Sequence, residues 1–165
     1  MKKFQWRMTV AAAGAVAAAG ALAIGAVVTS GDALAQAGPT AEQAIKYRQG
    51  VYKAILWNFG PMAAVVQGKA PYNAQEFARR AERVATLAPM LIEGYPPGSD
   101  AGATTRAKPE IWQNMAEFRE LMSAMEGKAS DLAAAARTGD EAKAKAAFGQ
   151  LGGACKACHD KYRGD

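Results

Sequence analysis

The sequence predicts an all-α protein, an antiparallel four-helix bundle, from three observations. Apolar residues recur at three- and four-residue spacing along four segments, which is the period of an amphipathic helix. Glycine and proline separate these segments, and no run of residues has the alternating pattern of a strand. Four helices of about 15 to 28 residues, joined by short or moderate loops, are typical of a bundle.

The first two helices have start and stop signals. Thr40 and Gln43 form a capping box, so the first helix is predicted to begin directly after Thr40. Gly60-Pro61 is predicted to end or kink this helix. Asn73 is a weaker start signal for the second helix, and Pro89 indicates a kink near its end.

The second half of the chain contains a loop and two further helices. Residues 94–108 are rich in glycine and proline and are predicted to form the longest loop. Pro109 stands where a long third helix can begin, and Arg137-Thr138-Gly139 is predicted to end it. Asp140 is the predicted cap of a fourth helix, whose inner positions are Ala144, Ala147, Phe148, Leu151, Cys155, Cys158 and Tyr162.

Residues 1–35 have the pattern of a secretory signal peptide. Lys2, Lys3 and Arg7 precede an apolar stretch, and Ala33-Leu34-Ala35 is a small-x-small cleavage site. An uncleaved membrane anchor is the alternative, but alanine and glycine make this stretch a weak span. We therefore expect cleavage after Ala35, a domain over residues 36–165, and a periplasmic location.

The positive charge of the chain does not indicate a class of binding partner. The full sequence has 20 Lys and Arg against 15 Asp and Glu, a net charge of +5. Removal of three basic residues and Asp32 with the leader lowers this charge to +3. The remaining basic residues are scattered among acidic ones, so nucleic-acid binding is not expected.

Cys155-Lys156-Ala157-Cys158-His159 is the C-x-x-C-H pattern of covalent haem c attachment. Two thiols that add to two vinyl groups of one porphyrin need a short, fixed separation, and the adjacent imidazole must reach the iron. On a helix, these three side chains lie within one turn on one face. The pattern therefore predicts one haem c, held through Cys155 and Cys158 with His159 as axial ligand.

Other uses of these residues are weaker. A thioredoxin-like thiol oxidoreductase using Cys155 and Cys158 is expected in a βαβ context, which this chain lacks. A structural zinc site needs about four ligands, and the chain has two cysteines and one histidine. With His159 used on the iron, no second histidine is left as a peroxidase acid or base, so we do not expect an enzyme.

A C-x-x-C-H motif near the end of a four-helix chain resembles the cytochrome c′ family, the class II c-type cytochromes. The resemblance extends over essentially all of residues 36–165. The stretches that carry it, besides the motif, are Tyr47-Arg48-Gln49, Phe59-Gly60 with Met62, Pro109-Glu110-Ile111-Trp112 and Tyr162-Arg163.

The resemblance implies a five-coordinate, high-spin iron whose open face is covered by a first-helix side chain. That position corresponds to Tyr52, where many relatives have leucine or methionine. Arg48 and Gln49 are placed near a haem propionate, and Arg163 beside the iron-bound imidazole. For each of these residues an ordinary core or surface role is the alternative.

The function implied is electron transfer, binding of small gases such as NO and CO, or both. A six-coordinate, low-spin electron carrier with a methionine ligand is the alternative. Met62 is a poor ligand candidate because it lies ten residues, about 15 Å along a helix, from Tyr52. An unidentified periplasmic redox partner is expected. Family members are commonly homodimers through their first two helices, where Trp57, Val65 and Val66 are candidate contacts.

Overall fold

The structure is a computed structural model, and it describes residues 38–164. These residues form four long helices, one short helix and one 3₁₀ helix. The α-helices are α1 (Ala41–Val66), α2 (Ala74–Leu87), α3 (Glu110–Gln113), α4 (Met115–Arg137) and α5 (Glu141–Tyr162), and the 3₁₀ helix is Ala88–Gly94. The long helices α1, α2, α4 and α5 pack as a bundle, so the predicted all-α class is confirmed.

Helix α1 begins as predicted but does not end at Gly60-Pro61. The reciprocal capping box of Thr40 and Gln43 is present, and the helix continues through Pro61 to Val66. A proline inside a helix leaves the carbonyl four residues earlier without its usual donor. Here that carbonyl belongs to Trp57, and Arg80 of α2 donates to it from Nη1 at 3.3 Å. Of the end or kink predicted at Gly60-Pro61, the end does not occur, because a neighbouring helix supplies the missing donor.

Helix α2 and the 3₁₀ helix occupy the segment predicted as one kinked helix. The side chain of Asn73 accepts from the backbone of Glu76, so Asn73 is the N-cap. Pro89 stands in the first turn of the 3₁₀ helix, where the chain tightens after Leu87. The kink near Pro89 is thus realised as a change of helix type, and Leu91 remains buried.

The predicted long third helix is interrupted at Asn114. The backbone of Asn114 has φ −125° and ψ 41°, outside the helical region, and separates α3 from α4. Its side-chain amide donates to the carbonyl of Glu110 at 3.0 Å. The backbone N–H of Asn114 donates to the same carbonyl at 3.0 Å, so both groups bind the last turn of α3. The helix that the apolar periodicity predicts as continuous is divided at this residue.

Helix α5 carries the C-x-x-C-H residues. Asp140 caps it by accepting from the backbone of Lys143 at 3.0 Å, as predicted. The chain between residues 38 and 164 has no strand, only an isolated bridge that pairs Ala107 with Arg163. Within the same range no helix is long and apolar enough to cross a bilayer. The predicted signal peptide lies outside the described residues.

Candidate cofactor site

A cavity of about 580 Å³ opens between α1, α4, α5 and the loop that precedes α3. Its inner wall is apolar and aromatic, and polar and charged side chains stand mainly where it meets solvent. All the site residues predicted from the sequence line this one cavity: Arg48, Gln49, Tyr52, Cys155, Cys158, His159 and Arg163. The fold thus brings the first helix and the last helix to the same space.

Cys155 and Cys158 present unpaired thiols to the cavity from one turn of α5. Burial raises the pKa of Cys158 to about 11, with a smaller contribution from Cys155. Burial also raises the pKa of Cys155. Both groups are therefore neutral thiols at pH 7, and neither has the thiolate character that thiol–disulfide exchange requires.

His159 follows Cys158 directly and lines the same cavity. Surrounding protein atoms lower the pKa of its imidazole by desolvation, Arg163 lowers it further, and Asp160 opposes the shift. A metal binds the neutral imidazole, so this environment favours the form that coordinates iron. The backbone N–H of Arg163 donates to the carbonyl of His159 at 3.2 Å, which keeps the two residues together at the end of α5.

The cavity wall formed by α1 carries a pair of tyrosines. The hydroxyl of Tyr52 lies 3.3 Å from the hydroxyl of Tyr95. Burial raises the pKa of both phenols, and each also responds to the other through their hydrogen bond. Tyr95 packs edge-on against Phe118, with ring centroids 4.8 Å apart. The pair is therefore neutral and held in place by the core.

Arg48 is almost completely buried, at 2% exposure, and it binds the loop above the cavity. Its Nη1 donates to the carbonyl of Gly94 and the hydroxyl of Ser99, and its Nη2 donates to the carbonyl of Ser99 and the hydroxyl of Thr105. The guanidinium also lies 4.7 Å from the ring centroid of Tyr95. These contacts satisfy a buried cation through hydrogen bonds and an aromatic face.

Gln49 ties the same loop to α1. Its side-chain amide donates to the carbonyl of Thr104 at 2.8 Å. The loop is also joined to the end of α5, because Gly164 donates from its backbone to the carbonyl of Arg106 at 2.7 Å. One segment of chain therefore connects the α1 wall of the cavity with the α5 wall.

Several residues line this cavity that the sequence did not assign to the site. Met122 and Met125 line it from α4, whereas Met62 is buried in the core and does not line it. The remaining additions include Lys53, Ile55, Phe59, Tyr95, Arg106, Ile111, Phe118, Lys156 and Tyr162. Helical periodicity marks most of the apolar ones as buried but does not indicate which cavity they face.

The residues present fit haem c. The apolar and aromatic wall suits a flat macrocycle, and the volume lies in the usual range for cofactor sites. Two unpaired thiols and one imidazole lie on one helix beside that wall. No group of three or more His, Cys, Asp or Glu residues within 38–164 forms a site for a bare metal ion.

Comparisons with known proteins agree with this arrangement. The family described as Cytochrome C′ matches residues 43–163. The chain is 42% identical over 120 residues to cytochrome c′ of Rubrivivax gelatinosus, an alignment that covers 73% of this chain and 93% of the relative. A 34% identical relative is cytochrome c-556 of Agrobacterium tumefaciens, with 72% of this chain and 95% of the relative covered.

Solved structures show the same fold. The crystal structure of the Rubrivivax gelatinosus protein superposes with a TM-score of 0.74 at 40% identity, over 77% of this chain and 99% of that one. A nitric oxide complex of a variant cytochrome c prime from Alcaligenes xylosoxidans superposes with a TM-score of 0.72 at 39% identity, over 78% and 99% of the two chains. The chain therefore belongs to the cytochrome c′ family, whose members bind haem c covalently.

Proposed function

We propose that this protein is a periplasmic monohaem cytochrome with a five-coordinate, high-spin iron that transfers electrons, binds NO or CO, or does both. The observation that carries the proposal is the convergence of two unpaired thiols and the single histidine of the chain on one apolar cavity. When bound, haem c supplies one-electron redox chemistry and an iron position for small neutral gases.

Each residue on α5 has a distinct part in this proposal. Cys155 and Cys158 form the two thioether bonds, and His159 is the protein ligand of the iron. Arg163 lies beside the imidazole of His159. Its positive charge helps to lower the pKa of that ring and so favours the neutral form. Because the sequence contains one histidine, no imidazole is left for the opposite face of the group.

Tyr52 covers that opposite face from α1. Its hydroxyl is hydrogen-bonded to that of Tyr95, which also lines the cavity, and this contact holds the ring as a steric cover. Burial raises the pKa of Tyr52, so the phenol stays protonated and does not act as an anionic ligand at neutral pH. Such a cover leaves the iron with one protein ligand while limiting the size of any molecule that enters.

Arg48 and Gln49 organise the propionate end of the site. The resemblance places them near a haem propionate, and in the structure both hold the loop between Gly94 and Thr105. The Nε of Arg48 takes part in none of these hydrogen bonds, so it is the donor we assign to a carboxylate.

The visible spectrum with and without carbon monoxide tests this proposal. We expect a broad high-spin spectrum that changes on addition of carbon monoxide to the reduced protein. A sharp low-spin spectrum that carbon monoxide leaves unchanged contradicts the five-coordinate assignment and favours the methionine-ligated alternative. In that case Met122 and Met125, which line the cavity, are the methionines to replace, since Met62 does not line it.

Denaturation of the purified protein separates the proposal from a thiol oxidoreductase. Covalent attachment predicts that the haem stays with the chain and that Cys155 and Cys158 do not react with thiol reagents. Haem that dissociates, together with two reactive thiols, contradicts the proposal. A Cys155→Ala variant is the control, because Cys158 is then the one cysteine left to form a thioether bond with the haem.

Export and self-association complete the proposal. The predicted leader over residues 1–35 implies that the protein works in the periplasm, where haem c is attached. Trp57 on α1 is 77% exposed, unusual for so large an apolar side chain, whereas Leu56, which is 63% exposed, lines the cavity. We infer that α1 and α2 form a homodimer contact centred on Trp57, whereas Val65 and Val66 are partly buried against the core of their own chain.

A further inference from the structure

The charged side chains that line the cavity all carry the same sign. They are Arg48, Lys53, Arg106, Lys156 and Arg163, and no Asp or Glu lines the cavity. Arg48 is buried, whereas the other four are exposed and line the cavity where it meets solvent. We call Lys53, Arg106, Lys156 and Arg163 the cationic mouth.

Elsewhere in the described chain, most basic side chains form ion pairs, and Lys69, Arg83, Lys108 and Arg119 form none. Exposed helix faces carry ion pairs at three- and four-residue spacing, such as Lys46 with Glu42 and Lys145 with Glu141. In the cationic mouth only Lys156 has such a partner, namely Asp160 at 2.5 Å. Lys53, Arg106 and Arg163 form no ion pair with any residue between 38 and 164.

Haem does not remove this charge. Its two propionate carboxylates, together with Asp160, balance three of the five cations that line the cavity. The lining of the cavity as a whole therefore keeps a net positive charge of two, beside a low-dielectric apolar wall that weakens screening. A molecule at the opening of the cavity is as near as it can come to a haem held inside. The positive charge therefore acts at the place where electron exchange with the haem is fastest.

We propose that the cationic mouth is the docking surface for an acidic redox protein. The inference rests on the proposed electron-transfer function and names the chemistry of the partner at the same site. Carboxylates on the partner approach Lys53, Arg106 and Arg163, which steers encounter and orients the partner toward the cavity. In the exchange, the reduced cytochrome loses one electron and the partner gains it.

Charge-reversal variants test the surface. Lys53→Glu changes an exposed lysine of the mouth, and Lys69→Glu is the matched control with the same change in net charge. Lys69 follows the end of α1, beyond residue 66, and does not line the cavity. Sixteen residues separate it from Lys53, of which the helical part alone spans about 20 Å.

Two small oxidants report on the local charge. Hexacyanoferrate(III) is an anion and tris(phenanthroline)cobalt(III) is a cation, and each takes one electron from the reduced protein. At low ionic strength we expect Lys53→Glu to slow oxidation by the anion about tenfold and to accelerate oxidation by the cation. Both effects should disappear near about 0.5 M salt, while Lys69→Glu should change either rate less than twofold.

A labelled polyglutamate peptide gives a readout that does not depend on electron transfer. We expect the holoprotein to bind it more tightly than a polylysine peptide, with Lys53→Glu and Arg106→Gln weakening binding and Lys69→Glu leaving it unchanged. Equal effects of Lys53→Glu and Lys69→Glu contradict the proposal, because net charge alone then explains them. Binding to anionic vesicles but not to the peptide also contradicts it, in favour of a membrane surface.

The two experiments also separate this inference from the function on which it rests. A protein that neither oxidant can oxidise after reduction contradicts the proposed redox role, whatever the peptide does. A protein that both reagents oxidise, with no preference for the anion and no peptide binding, retains its redox role and overturns the docking surface.

Discussion

At the scale of single residues, the site depends on how one buried cation is accommodated. Arg48 carries its charge into the protein and finds four hydrogen-bond acceptors among Gly94, Ser99 and Thr105. Burial lowers the pKa of Arg48 from its usual value, and nearby Tyr95 opposes that shift. A guanidinium remains charged under such conditions, so its contacts rather than its titration determine the local structure.

Gly94 permits the approach of α1 that these contacts need. A Cβ at Gly94 would lie 2.5 Å from the Cβ of Arg48, which the packed chains cannot accommodate. We expect Gly94→Ala to lower the free energy of unfolding by about 1–3 kcal/mol, measured by urea denaturation. Gly50→Ala is the control, because a Cβ there meets nothing within 4 Å and alanine favours a helix. A Gly94→Ala variant as stable as the Gly50→Ala variant contradicts this account.

At the scale of helices and loops, the N-terminal caps are local features, whereas the continuation of α1 through Pro61 is not. The caps at Thr40, Asn73 and Asp140 each use a side chain three residues from the backbone group that it binds. Pro61, by contrast, stays inside α1 because Arg80 of another helix binds the exposed carbonyl. Local sequence therefore predicts where a helix starts better than where it continues.

The cap of α5 supports the helix that carries Cys155, Cys158 and His159. We expect Asp140→Ala to lower the free energy of unfolding by about 1 kcal/mol, since the backbone N–H of Lys143 loses its acceptor. Asp140→Asn keeps an acceptor and should retain most of the stability at pH 7. Equal losses in the two variants would attribute the effect to the charge of Asp140 rather than to the cap.

Glu117 joins α4 to the end of α5 and makes stability depend on pH. It accepts hydrogen bonds from Lys161 and from the hydroxyl of Tyr162, and these bonds lower the pKa of its carboxyl below 4.5. A lowered pKa in the folded state stabilises the protein above the unfolded pKa and loses that contribution as pH falls through the folded pKa. The effect is modest because Glu117 is exposed.

Thermal unfolding of Glu117→Gln should show this dependence. We expect the variant to have a lower Tm than the parent at pH 7, and the difference to shrink as pH falls below about 4. Glu120→Gln, on an exposed position of α4, is the control. A difference in Tm that stays constant between pH 7 and pH 3 would contradict an ionic role for Glu117.

At the scale of the whole molecule, the two faces of α1 have different uses. One face lines the cavity through Arg48, Tyr52 and Leu56, whereas Trp57 is exposed and does not line it. A large apolar side chain in contact with water is typical of a contact with another chain. The same helix thus serves the cofactor site inside and the proposed dimer outside.

Trp57→Glu should separate these uses. We expect the parent to sediment as a dimer and Trp57→Glu to sediment as a monomer, because a buried, unpaired carboxylate opposes association. The visible spectrum should be unchanged, since Trp57 does not line the cavity. Gln150→Glu, an exposed position on α5, controls for the added charge. A parent that remains monomeric at high concentration overturns the proposed dimer.

The residues of the C-x-x-C-H motif, the caps at Thr40, Asn73 and Asp140 and the all-α class were predictable from the sequence alone. In each case the interacting groups lie within about one helical turn of each other, so their spacing determines their relation. Family resemblance then named Arg48, Gln49, Tyr52 and Arg163, and the structure brings all four to the cavity of the motif residues.

Only the tertiary structure decided what those residues touch. The hydrogen bonds of Arg48 reach Gly94, Ser99 and Thr105, which are remote in sequence, and the cationic mouth combines residues of α1, the loop and α5. Spacing along the chain determines contacts within a turn, whereas contacts between distant segments depend on how whole helices pack.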